Sequence, residues 1–108
     1  MVDLDPVRGT EANKRRPAVI VSNEAANSTV ARLGHGVLTV VPITPSVERI
    51  YPFQVLLPAG VGGLPEDSKA QAEQVRAIDA ERVGRRFGRL PDELMASLDD
   101  ALRLHLAL

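Results

Sequence analysis

The sequence has no cysteine and no tryptophan, and aromatic residues make up only 3% of it. Without cysteine there is no disulfide framework, no thiol nucleophile and no thiolate metal site. So few rings exclude a broad base-stacking platform. Neither sign of charge dominates: 13 Lys and Arg stand against 14 Asp and Glu, a net charge of -1. That balance excludes a polycation of the histone or ribosomal type and makes any nucleic-acid binding a local affair. No apolar run reaches transmembrane length, so no membrane association is expected. The opening Met1-Val-Asp-Leu-Asp-Pro6 has neither the basic region nor the apolar stretch of a signal peptide, and a cytoplasmic location is the expectation.

What is present is the balance of an ordinary globular chain: 108 residues, 44% apolar and 25% charged. A single domain over residues 1–108 is expected, with a core small enough that a dimer would help it. Residues 8 to 49 carry six basic residues (Arg8, Lys14, Arg15, Arg16, Arg32, Arg49) against three acids (Glu11, Glu24, Glu48). Three runs in the first half read as strands of a small barrel or a sheet covered on both sides: Ala18-Val-Ile-Val21, Val37-Leu-Thr-Val-Val41 and Phe53-Gln-Val-Leu-Leu57. Between the first two, Asn23 to Arg32 has a capping residue and the apolar spacing of a short helix. Ala59 to Pro65 reads as a hairpin loop, because no Lys and Ser/Thr follow its glycines as a phosphate cradle requires. Residues 68 to 78 are ambiguous. Composition favours helix, while Ala70, Ala72 and then Val75, Ala77 alternate in two out-of-phase stretches, like a strand with a bulge. From Pro91 onward an amphipathic helix is expected, with Leu94, Leu98, Ala101, Leu102, His105 and Leu108 on one stripe. Leu104 and Leu106 widen that stripe enough to suggest a second neighbour, such as another subunit.

Residues able to do chemistry are few. Asp3 with Asp5 and Asp99 with Asp100 lack a third ligand at metal-binding spacing, and the simpler reading is a strand end and a solvated helix face. His35 sits in a Gly34-His-Gly36 turn and His105 on the helix stripe, so an acid/base pair would need the fold to bring them together. Lys14-Arg15-Arg16-Pro17 stands out. Pro17 biases Arg16 toward extended geometry at the rim of a buried strand, and a held guanidinium fork suits the developing charge of a phosphorane. Lys14 and Arg15 attract phosphates electrostatically, or simply solubilise a loop. Thr44, in Pro42-Ile-Thr-Pro45, is a hydroxyl stiffened by two prolines; alone, a turn-capping role explains it.

Taken together, Val2-Asp-Leu-Asp-Pro6, Gly9-Thr-Glu11, Arg16-Pro-Ala-Val-Ile-Val-Ser22, Val41-Pro-Ile-Thr44, Tyr51-Pro-Phe53, Ala72-Glu-Gln-Val-Arg76 and the closing helix resemble the MazF/PemK family of toxin endoribonucleases. The resemblance covers essentially the whole chain. It implies a mainly β fold, an SH3-like antiparallel barrel with short helices and a C-terminal amphipathic helix, assembled as a homodimer. It makes residues 68 to 78 strand. It also implies cleavage of single-stranded RNA without a metal or other cofactor, leaving 2',3'-cyclic phosphate and 5'-hydroxyl ends, and a MazE-like antitoxin whose acidic tail folds along the basic cleft. The family's catalytic Arg falls on Arg16 and its catalytic Thr on Thr44. Its RNA-contacting positions fall on Thr10, Glu11 and Gln74, beside the basic Lys14 and Arg15, with Thr10 standing where Ser is more usual. A stretch that normally precedes Val2 is missing, so the first strand is expected to be incomplete. The alternative on the same barrel is a CcdB-like toxin that binds gyrase and cuts no RNA.

Overall fold

The computed structural model describes residues 2–4 and 16–108; of the side chains of residues 2–4, 85 and 86 nothing is described. The seven strands among these residues are β1 (Val2–Leu4), β2 (Arg16–Ile20), β3 (Val37–Thr44), β4 (Gln54–Leu57), β5 (Ser68–Gln71), β6 (Arg76–Asp79) and β7 (Val83–Arg86), with helices α1 (Glu24–Leu33) and α2 (Asp92–Leu106). All the pairings are antiparallel. The order is β4-β5-β3-β2-β1-β7, with β6 also on β3. The mainly β, barrel-like architecture with a C-terminal helix is the expected one, and β1 is paired on both sides, to β2 and β7.

β3 organises the sheet because it serves two partners along one edge. Its first half pairs with β6 from Val37 to Val40, and its end pairs with β5 at Ile43 and Thr44. That split resolves the ambiguity of residues 68 to 78. They are two short strands separated by a 3-10 turn at Ala72–Gln74, so the apolar alternation shifts phase at the turn. Ala72 is fully buried there and its N–H donates to the Phe53 carbonyl, 3.2 Å away, so tertiary pairing overrides the helical propensity of the segment.

The main core gathers Val19, Val41, Ile43, Val55, Leu57, Leu64, Ala70, Ala72, Leu90, Leu98 and Ala101. A smaller cluster, Ala18, Val40 and Ile78 with Ile20 and Val83, lies on the opposite side chains of the same strands. This explains why the strands read as continuously apolar: both faces are covered over much of their length. α1 begins as expected at Asn23, whose side chain accepts from the Ala26 N–H at 2.8 Å, and it ends at Gly34 with φ 76°. Gly36 is required as glycine twice over: φ is 133°, and a Cβ there would meet Val30 Cγ2 at 2.9 Å. Residues 58–67 close the β4–β5 hairpin, as expected, with the Ala59 N–H held by Asp67 Oδ1 at 2.8 Å.

α2 departs from expectation at its end. Leu98 and Ala101 are buried and Leu94, Met95 and Leu102 pack against the core, but the stripe does not continue under cover to Leu108. His105 is exposed, the helix stops at Leu106, and Leu108 is 86% exposed. The sheet offers the helix only about three turns of surface, so the remaining apolar residues project beyond it.

Candidate active site

The register of β2 on β3 builds the site. Ala18 pairs with Pro42, Val19 with Val41 and Ile20 with Val40. Each step back along β2 is a step forward along β3; the pairing is formed as far as Ala18 with Pro42, and Arg16 and Thr44 each lie two residues beyond that pair on their strands. By strand alternation Arg16 is on the face of Ala18, and Thr44 is on the face of Pro42 and Val40. This is the face of Ala18 and Val40, not that of the main core. Arg16 is exposed and Thr44 half-buried, at the end of the longest strand. Two residues that are 28 positions apart in the chain are therefore brought to adjoining ends of two paired strands.

The Thr44 hydroxyl accepts a long bond from the Ser46 N–H, 3.3 Å. The turn-capping role is therefore real, and it leaves the hydroxyl proton free to donate elsewhere. On the far side of β3 the pairing continues: Thr44 opposes Lys69 of β5, which opposes Leu56 of β4. Thr44 and Lys69 are thus direct partners, while Arg16 lies two residues beyond the last β2–β3 pair on the other side of β3. Reading the sequence alone missed Lys69. The available signal was a charged residue in the strand-like Ser68-Lys-Ala-Gln71, but its location beside Thr44 depends entirely on strand pairing.

The remaining candidates divide. Gln74 is exposed at the end of the 3-10 turn, and its carbonyl accepts from Arg76 Nε at 3.5 Å. Arg76 opposes Val40 and so shares the face of Arg16 and Thr44, four residues further back along β3, about 13 Å at strand spacing. Thr10, Glu11, Lys14 and Arg15 lie outside the described residues. A polar chain ties the β3–β4 loop to the turn that carries Gln74: the Tyr51 N–H donates to Gln54 Oε1 at 3.1 Å, and Gln54 Nε2 donates to Glu73 Oε2 at 2.6 Å. In that loop Arg49 lies over the Tyr51 ring, 5.7 Å from its centroid, and Tyr51 stacks on Phe53 with centroids 5.3 Å apart. His35 is exposed in its turn, far in sequence and element from His105, which sits 6.5 Å from Phe53. Asp99 and Asp100 are exposed, and Asp100 pairs with Arg103 at 3.0 Å. Among the described residues no three His, Asp or Glu side chains gather as a metal site.

Residues 1–106 match the family model of the PemK-like, MazF-like toxins of type II toxin-antitoxin systems. The chain belongs to this family. Over 107 residues it is 59% identical to the endoribonuclease MazF9 of Mycobacterium tuberculosis, covering 99% of this chain and 91% of that protein. It is 34% identical to the endoribonuclease EndoA of Bacillus subtilis, over 98% of this chain and 88% of the relative. Its backbone also follows that of MazF in a MazE–MazF crystal structure from Deinococcus radiodurans, with a TM-score of 0.74 and 26% identity over 99% of this chain and 90% of that one. It is a toxin of the MazF endoribonuclease type, and a gyrase-binding role on the same barrel is not favoured. In this MazF-type chain no helix among the described residues is long and apolar enough to cross a membrane.

Proposed function

We propose that this MazF-type toxin cleaves single-stranded RNA with Arg16 and Thr44 as its catalytic pair and without a metal. What supports the reading is that Arg16 and Thr44 each lie two residues past the Ala18–Pro42 pair, at adjoining ends of antiparallel β2 and β3. In the reaction a ribose 2'-oxygen attacks the adjacent phosphorus and loses its proton, and the bond from phosphorus to the 5'-oxygen breaks, that oxygen leaving as a hydroxyl. The products are a 2',3'-cyclic phosphate and a 5'-hydroxyl end. The phosphorane on this path carries an additional negative charge. A planar, permanently charged guanidinium at a strand start meets that charge with two parallel N–H donors. The Thr44 hydroxyl donates to a phosphate oxygen at a position fixed by the sheet. Arg16 acts through charge rather than as a proton carrier. DNA is refused because it lacks the nucleophile.

Gln74, Thr10 and Glu11 are assigned to RNA recognition and Lys14 and Arg15 to phosphate attraction, with the whole of residues 1–108 acting as one toxin domain in the cytoplasm. A MazE-like antitoxin with an acidic tail is the fitting partner for the basic face, and a homodimer the fitting assembly. Incubation with single-stranded RNA in excess EDTA tests the chemistry. Cleavage with cyclic-phosphate ends is expected, while DNA of the same sequence survives. Activity that disappears in EDTA and returns with magnesium would overturn the mechanism.

A further inference from the structure

Lys69 is only 8% exposed, and its Nζ donates to the Arg49 carbonyl at 2.7 Å. Among the described residues no carboxylate lies within ion-pair distance of it, the ion pair formed there being that of Arg103 with Asp100 on the surface. A buried ammonium held by a neutral carbonyl is a costly arrangement that an apolar side chain of similar length would avoid. Its position gives the cost a purpose: Lys69 opposes Thr44 directly, and Arg49 belongs to the loop that leaves Thr44.

We propose that Lys69 is a positioning residue of the cleavage site. Its ammonium ties the loop after β3 back onto the sheet, so that Thr44 is fixed from both its strand and its loop. It also sets a cationic group beside Thr44, on a side chain largely covered from solvent, where screening is weaker than on the open surface. Arg16 on one side of Thr44 and Lys69 on the other then bracket the position at which phosphorane charge develops. Because the ammonium is covered, it acts on the reacting group through Thr44 and the field, and not as one more phosphate contact on the rim. The inference rests on the Arg16–Thr44 reading.

K69M, K69Q and K69R are compared with wild type, R16K and T44V in single-turnover cleavage of a single-stranded RNA that the wild-type protein cuts. Melting temperature and the salt dependence of RNA binding are measured on each. K69M is expected to lose about tenfold or more in maximal rate, as for a displaced fixed charge, with KM changed little. Its melting temperature should hold or rise, because the buried charge is gone. The salt slope of binding should be unchanged, since no phosphate contact is lost. K69R should recover part of the rate. If K69M does not fold, K69Q, which keeps a donor for Arg49 without the charge, should show the same rate loss. A wild-type rate in folded K69M or K69Q overturns the proposal, as does a loss that appears only in KM together with a shallower salt slope. Wild-type rates in R16K and T44V would instead overturn the catalytic pair itself, whatever Lys69 does.

Discussion

At the scale of single residues, the proposed site rests on a guanidinium and a hydroxyl, each next to a proline that stiffens the chain. Pro17 follows Arg16, Pro45 follows Thr44, and both residues stand at strand ends. Arg16→Lys keeps a charge but loses the fork, so the cleavage rate should fall about 100-fold or more, the range for removing a preorganised donor. Arg16 is exposed, so its melting temperature should barely move; calorimetry beside the kinetic assay checks this. Arg15→Lys should change the rate only mildly, and equal losses at the two positions would mean that the basic cluster acts as a diffuse field. Both catalytic candidates were legible in the sequence because each is flanked by a motif. Lys69 was not, because nothing near it in the chain distinguishes a buried strand lysine from a solvated one.

At the scale of elements, the caps of α1 and the first turns of the terminal helix followed local rules, while the end of that helix and the segment after the hairpin did not. Asn23→Ala removes the bond to the Ala26 N–H and should cost about 1 kcal/mol in chemical denaturation. Leu98 is 1% exposed in the main core, and Leu98→Ala should cost roughly 2–5 kcal/mol, read from the same transition. If Leu98→Ala unfolds with an unchanged midpoint, α2 does not contribute to the core as its burial indicates. Residues 68 to 78 resisted a local reading for a physical reason. Their two halves pair with different parts of β3, and the turn between them buries Ala72 under α2, so neither a helical nor a single-strand period runs through the segment.

At the scale of the whole molecule, apolar surface is left over. Leu104 and Leu106 are 58% and 49% exposed, and the ring contact of His105 with Phe53 brings the end of α2 next to the loop that exposes Ile50 and Tyr51. The proposed homodimer would cover part of this surface, since large exposed apolar residues mark an interaction face. Light scattering at micromolar concentration should give a dimer, and Leu104→Glu with Leu106→Glu should shift it toward monomer without unfolding it. A strict monomer that still cleaves RNA would show that the dimer is no functional requirement.

By itself the sequence determined what is set by near neighbours: no thiol chemistry, the helix ends at Asn23 and Gly34, the hairpin loop, the amphipathic closing helix, and the residue types from which the site is drawn. The tertiary structure decided which of these meet. Arg16, Thr44 and Lys69 come from three strands distant in the chain; Lys69 meets Thr44 by direct pairing, and Arg16 is brought toward them by the pairing of β2 with β3. A slip of one residue between β2 and β3 would turn every side chain of β2 to the other face and separate the pair. Register is held by burial on both faces of the strands, by Val19 against Val41 on one side and Ala18 against Val40 on the other. That is an interaction between distant segments, and no local pattern in the chain can express it.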